Sequence, residues 1–148
     1  MTLFRSRRAY LQKARSMKIK RVDVYNFELT YVHGVYKMSG GRDVTSLPST
    51  LVRVTSDDGH EGWGEVCPLG ATYLPAHAGG ARAALDLIAP ALIGKDPTNL
   101  AEINDAMDSV LMGYNYAKSP VDVACWDLTG KVWGASIAEM LGGVREPR

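Results

Sequence analysis

Apolar and polar residues alternate along residues 18–66, as they do in antiparallel strands that bury one face of a sheet. In the first strand Val22 and Val24 alternate with Asp23, and the phase slips by one residue near Tyr25. A slip of this kind is left by a β-bulge or a strong local twist. The sequence therefore predicts a bulge near Tyr25.

Two more strands are predicted over 49–56 and 60–66, joined by a turn at 57–59 with the sequence Asp-Asp-Gly. Glycine after aspartate supplies the positive φ that tight hairpin turns need. Gly62 and Gly64 fall on one face of the third strand, which indicates that another segment packs closely there. The three strands predict an antiparallel meander.

Beyond residue 77 the apolar spacing changes to the i, i+3, i+4, i+7 repeat of amphipathic helices. On the third of four predicted helices, Cys125 and Trp126 are expected in the core and Asp127 at the solvated surface. The predicted boundaries are Pro90 as the end of the first helix, Asp96-Pro97 and Ser119-Pro120 as the starts of the next two, and a Ser136–Glu139 capping box for the short fourth. Strands followed by helices predict an α+β fold, a three-stranded antiparallel meander followed by a helical bundle.

The third strand leads into a loop, residues 67–77, that carries a thiol, an aromatic hydroxyl and an imidazole. Tyr73 fits no apolar stripe, and its ring and hydroxyl can stack on a cation or hydrogen-bond a carboxylate. The alternative is that Tyr73 anchors an interface. A hydrolytic dyad of Cys67 and His77 can be drawn, but nothing in the sequence orients the imidazole. Cys67 is better explained as a small buried hydrophobe.

The composition narrows the class of protein further. The 148 residues are 46% hydrophobic and 22% charged, as expected for one globular domain with its own core. No stretch approaches the roughly 18 apolar residues of a membrane span. The two cysteines are far apart and the three histidines are scattered, so neither a disulfide framework nor a zinc site is predicted, and a cytoplasmic location is expected.

Residues 1–16 differ from the rest, because they hold five basic residues and no acid. The remaining residues carry 12 basic against 16 acidic side chains, which argues against a nucleic-acid surface on the folded part. The leader is interpreted as a transit-like segment, a phosphate-binding basic tail or, preferably, residues upstream of a natural start at Met17. The domain is assigned to 17–143.

Five short stretches resemble one known family. Residues 62–65 (Gly-Trp-Gly-Glu), 116–128 (Tyr-Ala-Lys-Ser-Pro-Val-Asp-Val-Ala-Cys-Trp-Asp-Leu) and 141–143 (Leu-Gly-Gly) resemble the N-terminal capping domain of the mandelate racemase and muconate lactonising enzyme family, within the enolase superfamily. Residues 39–42 (Ser-Gly-Gly-Arg) and the loop 67–77 are most similar to members that act on proline derivatives. These members are hydroxyproline betaine epimerases and cis-3-hydroxyproline dehydratases.

The resemblance implies a two-part enzyme in which this α+β domain caps a TIM barrel. The barrel would hold Mg2+ on carboxylates and use a lysine to remove the proton next to a substrate carboxylate. In this chain, the resemblance implies that Tyr73 contacts the substrate. Tyr36, Met38 and Ser39 are further candidates, because residues 30–48 correspond to the mobile specificity loop of the family.

Residues 144–148 would then begin a linker to a barrel that this sequence does not contain, and no catalytic residue or metal ligand is assigned here. The leading hypothesis is the capping domain of a Mg2+-dependent racemase, epimerase or dehydratase for a proline-like amino acid or betaine, inactive alone. Its expected partners are the barrel of the same protein, the small-molecule substrate and further copies in a homo-oligomer, with no nucleic acid and no membrane. The alternative is a stand-alone binding or assembly domain that self-associates through its barrel-facing surface.

Overall fold

The computed structural model describes residues 17–143, so the predicted leader 1–16 and linker 144–148 lie outside the described residues. The elements in chain order are β1 (Ile19–Thr30), β2 (Tyr36–Met38), β3 (Arg42–Val44), β4 (Ser46–Ser56), β5 (Glu61–Val66), α1 (Ala78–Leu92), α2 (Leu100–Val110), α3 (Asn115–Trp133) and α4 (Ile137–Met140). One antiparallel sheet has the order β1-β4-β5, and β2 and β3 form a separate hairpin. The predicted α+β class and three-stranded meander are confirmed. Within 17–143, no helix is long and apolar enough to cross a bilayer.

One face of the sheet and the helices together form the core. Val52 and Val54 of β4 are fully buried and pair with two valines of β1 on the same face. Cys125 is fully buried as predicted, whereas Trp126 is only half-buried. The other large buried side chains are Leu85, Ile88 and Leu92 of α1, Ile103 and Met107 of α2, and Val121 and Leu128 of α3.

The opposite face of the sheet carries an arginine between two aromatic rings. The rings of Tyr25 and Trp63 stack with their centroids 5.7 Å apart, and the guanidinium carbon of Arg53 lies 5.4 Å and 5.3 Å from them. Arg53 also donates to the carboxylates of Asp23 and Glu61. The bond to Asp23 is the main reason why the pKa of Arg53 is raised. Side chains on this face therefore cross-link all three strands.

Helix α3 lies directly against the backbone of β5. A Cβ atom on Gly64 would lie 1.9 Å from the carbonyl oxygen of Pro120, and one on Gly62 would lie 1.9 Å from the carbonyl oxygen of Ala124. No side chain fits at these distances, so only glycine lets the helix approach this closely. The close packing that the two glycines predict is confirmed.

The same proximity lets side chains of α3 reach the free edge of β5. Asp127 accepts the backbone N–H of Trp63 at 2.9 Å, and Lys131 donates to the carbonyl oxygen of Glu61 at 3.0 Å. Lys131 also pairs with Asp127 at 2.6 Å. Asp127 is therefore more than the solvated surface residue that was predicted, because it satisfies a backbone group of an edge strand. Covering an edge in this way protects it from pairing with another chain.

The bulge in β1 was predicted near Tyr25, but in the structure it lies at Lys20. The register skips one residue between Ile19 and Arg21 and then continues without interruption to Thr30. Strand β1 carries apolar side chains on both faces. The change of phase in the sequence therefore reflects apolar side chains on the outer face of β1, such as the exposed Phe27 and Leu29, and not an extra residue.

The segment 30–48, predicted as one long loop, is more ordered than expected. It contains the β2–β3 hairpin, and β4 begins at Ser46 rather than at the predicted Ser49. Pro48 lies inside β4 opposite Glu28. The proline fits because β5 ends opposite Thr50, so this part of β4 has a neighbour on one side only.

Two prolines lie inside helices that they were predicted to end or begin. Helix α1 continues past Pro90 to Leu92, and α3 begins at Asn115, five residues before Pro120. A proline removes one N–H donor but does not remove the apolar face of the helix. Leu92 is fully buried, and its burial favours the last turn of α1.

Side chains cap α2 and α4. Asn99, and not Asp96 as predicted, caps α2 by accepting the N–H of Glu102 at 3.3 Å. Asp96 instead closes the turn that precedes this cap. The predicted capping box of Ser136 and Glu139 is confirmed, since each side chain bonds the backbone of the other residue.

We predict that Gly64→Ala destabilises the protein by about 3 kcal/mol or more, because the new methyl group must displace the backbone of α3. The measurement is the free energy of unfolding in urea. Gly143→Ala is the matched control, since no atom lies within 4 Å of a Cβ at that position. Equal stability of the two variants would contradict the close contact between helix and strand.

Candidate functional site

The topology brings two loops to the same end of the sheet. Strands β1 and β5 both run antiparallel to β4, so they run parallel to each other and finish at the same end of the sheet. β1 leads into residues 31–45, and β5 leads into residues 67–77. Both segments that were singled out as candidate binding loops therefore leave the sheet side by side.

The first loop is built around the β2–β3 hairpin. Gly40 and Gly41 at its tip have φ angles of 78° and 72°, which other residues adopt only with strain. Lys37 pairs with Asp43 across the hairpin at 3.2 Å. These contacts give the segment a defined shape although most of its side chains are exposed.

The second loop holds Tyr73 in a tight turn. The backbone N–H groups of Tyr73 and Leu74 both donate to the carbonyl oxygen of Gly70, at 3.0 Å and 3.2 Å. Gly70 itself has a φ of 96°. The side chain of Tyr73 is 56% exposed. A loop with a fixed backbone therefore presents an aromatic hydroxyl to its surroundings.

The two loops are joined by one side chain. Arg42, the first residue of β3, donates from Nη1 to the carbonyl oxygen of Thr72 at 3.1 Å. Thr72 directly precedes Tyr73, so the hairpin contacts the backbone from which the tyrosine side chain departs. Sequence reasoning used Arg42 only as part of a motif and missed this role. A bond to a backbone carbonyl 30 residues away leaves no signal in side-chain spacing.

The four predicted substrate-binding residues divide between the two loops. Tyr36 is 48% exposed and stacks on Tyr31 with a centroid distance of 5.7 Å. Met38 is half-buried, and Ser39 is exposed beside the glycine turn. Tyr73 lies on the other loop. The structure thus brings the hairpin and the Tyr73 loop together, and the contact of these residues with a substrate stays a prediction.

The cysteine and histidine of the second loop are not arranged for nucleophilic catalysis, and Cys67 is half-buried rather than buried as predicted. His77 caps α1, because its Nδ1 accepts the N–H of Gly80 at 3.1 Å. Desolvation, together with the nearby Glu65 carboxylate, raises the pKa of the Cys67 thiol. Both effects disfavour the thiolate that nucleophilic catalysis requires. The geometry agrees with the interpretation that Cys67 and His77 are not a hydrolytic dyad.

Acidic side chains of the described residues do not gather into a metal site. Across 17–143, no group of three or more His, Cys, Asp and Glu side chains is placed to hold a metal ion. Several of the carboxylates are instead paired with basic side chains, such as Asp23 with Arg53 and Asp108 with Lys118. The residues of this part of the chain therefore do not fit a magnesium ion. This part of the chain therefore presents two loops of defined shape and no cluster for metal-assisted chemistry.

The model of the mandelate racemase / muconate lactonizing enzyme N-terminal domain matches residues 27–142. A cis-3-hydroxy-L-proline dehydratase from Roseibium aggregatum is 46% identical over 130 residues, which are 88% of this chain and 35% of that protein. An N-succinyl-L-Arg/Lys racemase from Bacillus cereus is 29% identical over 127 residues, or 86% of this chain and 34% of that protein.

Solved structures show the same similarity. A member of the enolase superfamily from Roseovarius nubinhibens, in complex with magnesium, is 43% identical, with a TM-score of 0.79 over 86% of this chain and 34% of that one. The chain thus spans about a third of the length of the curated relatives that it matches.

We predict that neither thiol reacts as an activated nucleophile. Burial raises the pKa of the Cys125 thiol to about 12, so it stays unmodified by iodoacetamide at pH 8 until the protein is unfolded in urea. Cys67 is expected to react more slowly than free cysteine, because its pKa is also raised. Mass spectrometry of the labelled peptides measures both rates. Labelling of Cys67 faster than free cysteine would instead indicate an activated thiolate.

Proposed function

The chain belongs to the mandelate racemase / muconate lactonizing enzyme family as its N-terminal domain, and from this premise we propose that it caps the active site of a Mg2+-dependent enzyme. The reaction class is removal of the proton next to the carboxylate of a proline-like amino acid or betaine. Dehydration of a cis-3-hydroxyproline is the first candidate, and epimerisation or racemisation at the same carbon is the second.

Two observations together carry this proposal: two loops meet at one end of the sheet, and the described residues form no metal-binding cluster. The hairpin and the Tyr73 loop meet at one end of the sheet through Arg42 and Thr72. The described residues nevertheless offer no metal-binding cluster. A domain of this kind is suited to recognising and enclosing a substrate whose chemistry takes place on another domain.

The exposed apolar side chains support a covering partner at the same end of the molecule. One group of them lies at the carboxyl-terminal end of β1 and in the two loops, while others, such as Leu87, Met112 and Leu141, lie on or beside the helices. The first group comprises Phe27, Leu29, Val32, Val35, Tyr36 and Tyr73, each at least 45% exposed. Large exposed patches of this type usually mark a binding surface. We assign it to the substrate and to the barrel domain of the same protein.

The preference for a hydroxyproline substrate depends on sequence similarity. The chain is 46% identical to a cis-3-hydroxy-L-proline dehydratase and 29% identical to the racemase and to a hydrophobic dipeptide epimerase. All of these names are consistent with chemistry at a carbon beside a carboxyl or carbonyl group. The higher identity favours dehydration as the reaction to test first.

Tyr73 is given the role of contacting the substrate. Its hydroxyl can donate to a substrate carboxylate, and its ring can stack on a cationic ring nitrogen. The hairpin with Tyr36, Met38 and Ser39 would close over the other side and exclude water, which strengthens electrostatic interactions inside the site. The base, the magnesium ligands and the charge that they stabilise would belong to groups outside residues 17–143.

Assembly into a homo-oligomer and a cytoplasmic location stay predictions. A stand-alone assembly domain would have an intact mass near 16.1 kDa as purified. This domain joined to a barrel of ~250 residues would instead have a mass of roughly 40 kDa.

We expect the full-length protein to dehydrate cis-3-hydroxy-L-proline in D2O, removing the Cα proton and the C3 hydroxyl group as water while all carbon atoms stay in the product. NMR should follow the disappearance of the Cα–H signal and of the CH–OH signal at C3. Tyr73→Phe should lower kcat/KM by roughly 10- to 100-fold, since a hydrogen bond to a charged group is worth about 1.5–3 kcal/mol. Tyr25→Phe is the control, because Tyr25 stacks on Trp63 in the middle of the sheet.

Each outcome of this assay has one meaning. Deuterium at Cα without loss of the hydroxyl identifies epimerisation as the reaction. Absence of any change with hydroxyprolines and their betaines contradicts the proposed substrate class. Turnover that Tyr73→Phe leaves unaltered removes Tyr73 from the substrate site.

Magnesium should be needed by the complete protein but not bound by this domain. We expect EDTA to abolish turnover and added Mg2+ to restore it. Tyr73→Phe should leave the Mg2+ dissociation constant, measured by calorimetry, within about 2-fold of the unsubstituted protein, because the described residues include no metal cluster. Full turnover after removal of Mg2+ would contradict the proposed cofactor.

A further inference from the structure

We propose that Arg42 is a positioning residue that locks the β2–β3 hairpin onto the Tyr73 loop, so that the two loops act on the substrate as one unit. The inference rests on the proposed function for its kinetic consequence. Its structural part, the locking of one loop by the other, stands on the contacts of the described residues alone.

The lock acts on a single peptide group. The peptide that joins Thr72 to Tyr73 is planar, and both of its polar atoms are hydrogen-bonded. Its N–H donates to Gly70 within the loop at 3.0 Å, and its carbonyl oxygen accepts from Arg42 at 3.1 Å. Fixing both atoms fixes the plane of the peptide. The direction in which the Tyr73 side chain leaves the backbone therefore depends on the hairpin.

The hairpin is a suitable anchor for this bond. Met38 and Arg42 pair directly across the two strands, and the ion pair of Lys37 with Asp43 lies next to them. At the base of the hairpin the rings of Tyr31 and Tyr36 stack at an interplanar angle of 11°. The Arg42 side chain extends from this ordered hairpin and therefore holds the second loop in a fixed position relative to it.

No acidic partner competes for the guanidinium of Arg42. Among residues 17–143, Arg42 forms no ion pair, in contrast to Arg21 and Arg53. Its hydrogen bond to Thr72 is therefore the contact that sets its orientation. A planar guanidinium holds this geometry better than the flexible ammonium of a lysine.

The lock predicts a specific pattern of hydrogen exchange. In the full-length protein, Arg42→Ala should accelerate amide exchange in the peptide that spans residues 70–76 by about 10-fold, a loss of roughly one hydrogen bond. Arg42→Lys should produce a smaller change in the same peptide. Arg82→Ala is the matched control, because Arg82 likewise donates one hydrogen bond, to the side chain of Asn26 at 2.8 Å, and lies on α1.

The kinetic test is a double-mutant cycle with Tyr73. If Arg42 acts by orienting Tyr73, Arg42→Ala lowers kcat/KM of the unsubstituted protein. The same substitution should lower kcat/KM much less in the Tyr73→Phe variant. Additive effects would overturn the coupling. Unchanged exchange in 70–76 together with unchanged kinetics would overturn the lock itself. Arg42→Lys keeps the test decisive if the alanine variant does not fold.

The two proposals can fail separately. A full-length protein without turnover on any hydroxyproline contradicts the proposed function, and hydrogen exchange still decides whether Arg42 holds the loop. Turnover that is insensitive to Arg42, in a protein whose loop exchange is also unaltered, contradicts the lock and leaves the proposed function standing.

Discussion

The contact between α3 and β5 is the constraint on which the rest of the structure depends. Two glycines remove every side chain between helix and strand, so backbone meets backbone at Gly62 and Gly64. This contact leaves no freedom to shift the helix along the strand, because the carbonyl groups of Pro120 and Ala124 fill the space. Asp127 and Lys131 then reach the strand edge and bind its free polar groups. The position of β5 is thereby set by α3 together with its pairing to β4.

The position of β5 in turn determines where the candidate site begins. The strand ends at Val66, and the following loop is tied to the core at both ends: Pro68 and Ala76 are buried, and His77 caps α1. Only the middle of the loop, with Tyr73, faces outward. A loop held in this way can present one side chain in a defined place without a long stretch of buried backbone.

The sequence predicts the strands, the glycine contact and the capping box because each depends on neighbours in the chain or on one apolar period. It misplaces the bulge because Tyr25 and Phe27 add apolar residues to the outer face of β1, where Tyr25 packs against Arg53 and Trp63 while Phe27 stays exposed. It misplaces the helix ends near Pro90 and Pro120 because tertiary burial overrides a local breaker. Periodicity contains no information on either effect.

The sequence could indicate which two loops form the candidate site, but it could not indicate the hydrogen bond that joins them. Loops that follow parallel-running strands leave the same end of the sheet, and Tyr73 stands out because no core stripe explains it. The bond from Arg42 to Thr72 joins a side chain to a backbone atom, and backbone atoms are the same at every position, so no residue type marks the acceptor. A domain that encloses a substrate, as proposed here, needs few ionisable groups but needs its loops held in a fixed relation. In this chain the groups that hold the loops are two glycines, the guanidinium of Arg42 and the carbonyl oxygen of Thr72. These groups are less conspicuous in a sequence than a cluster of catalytic acids.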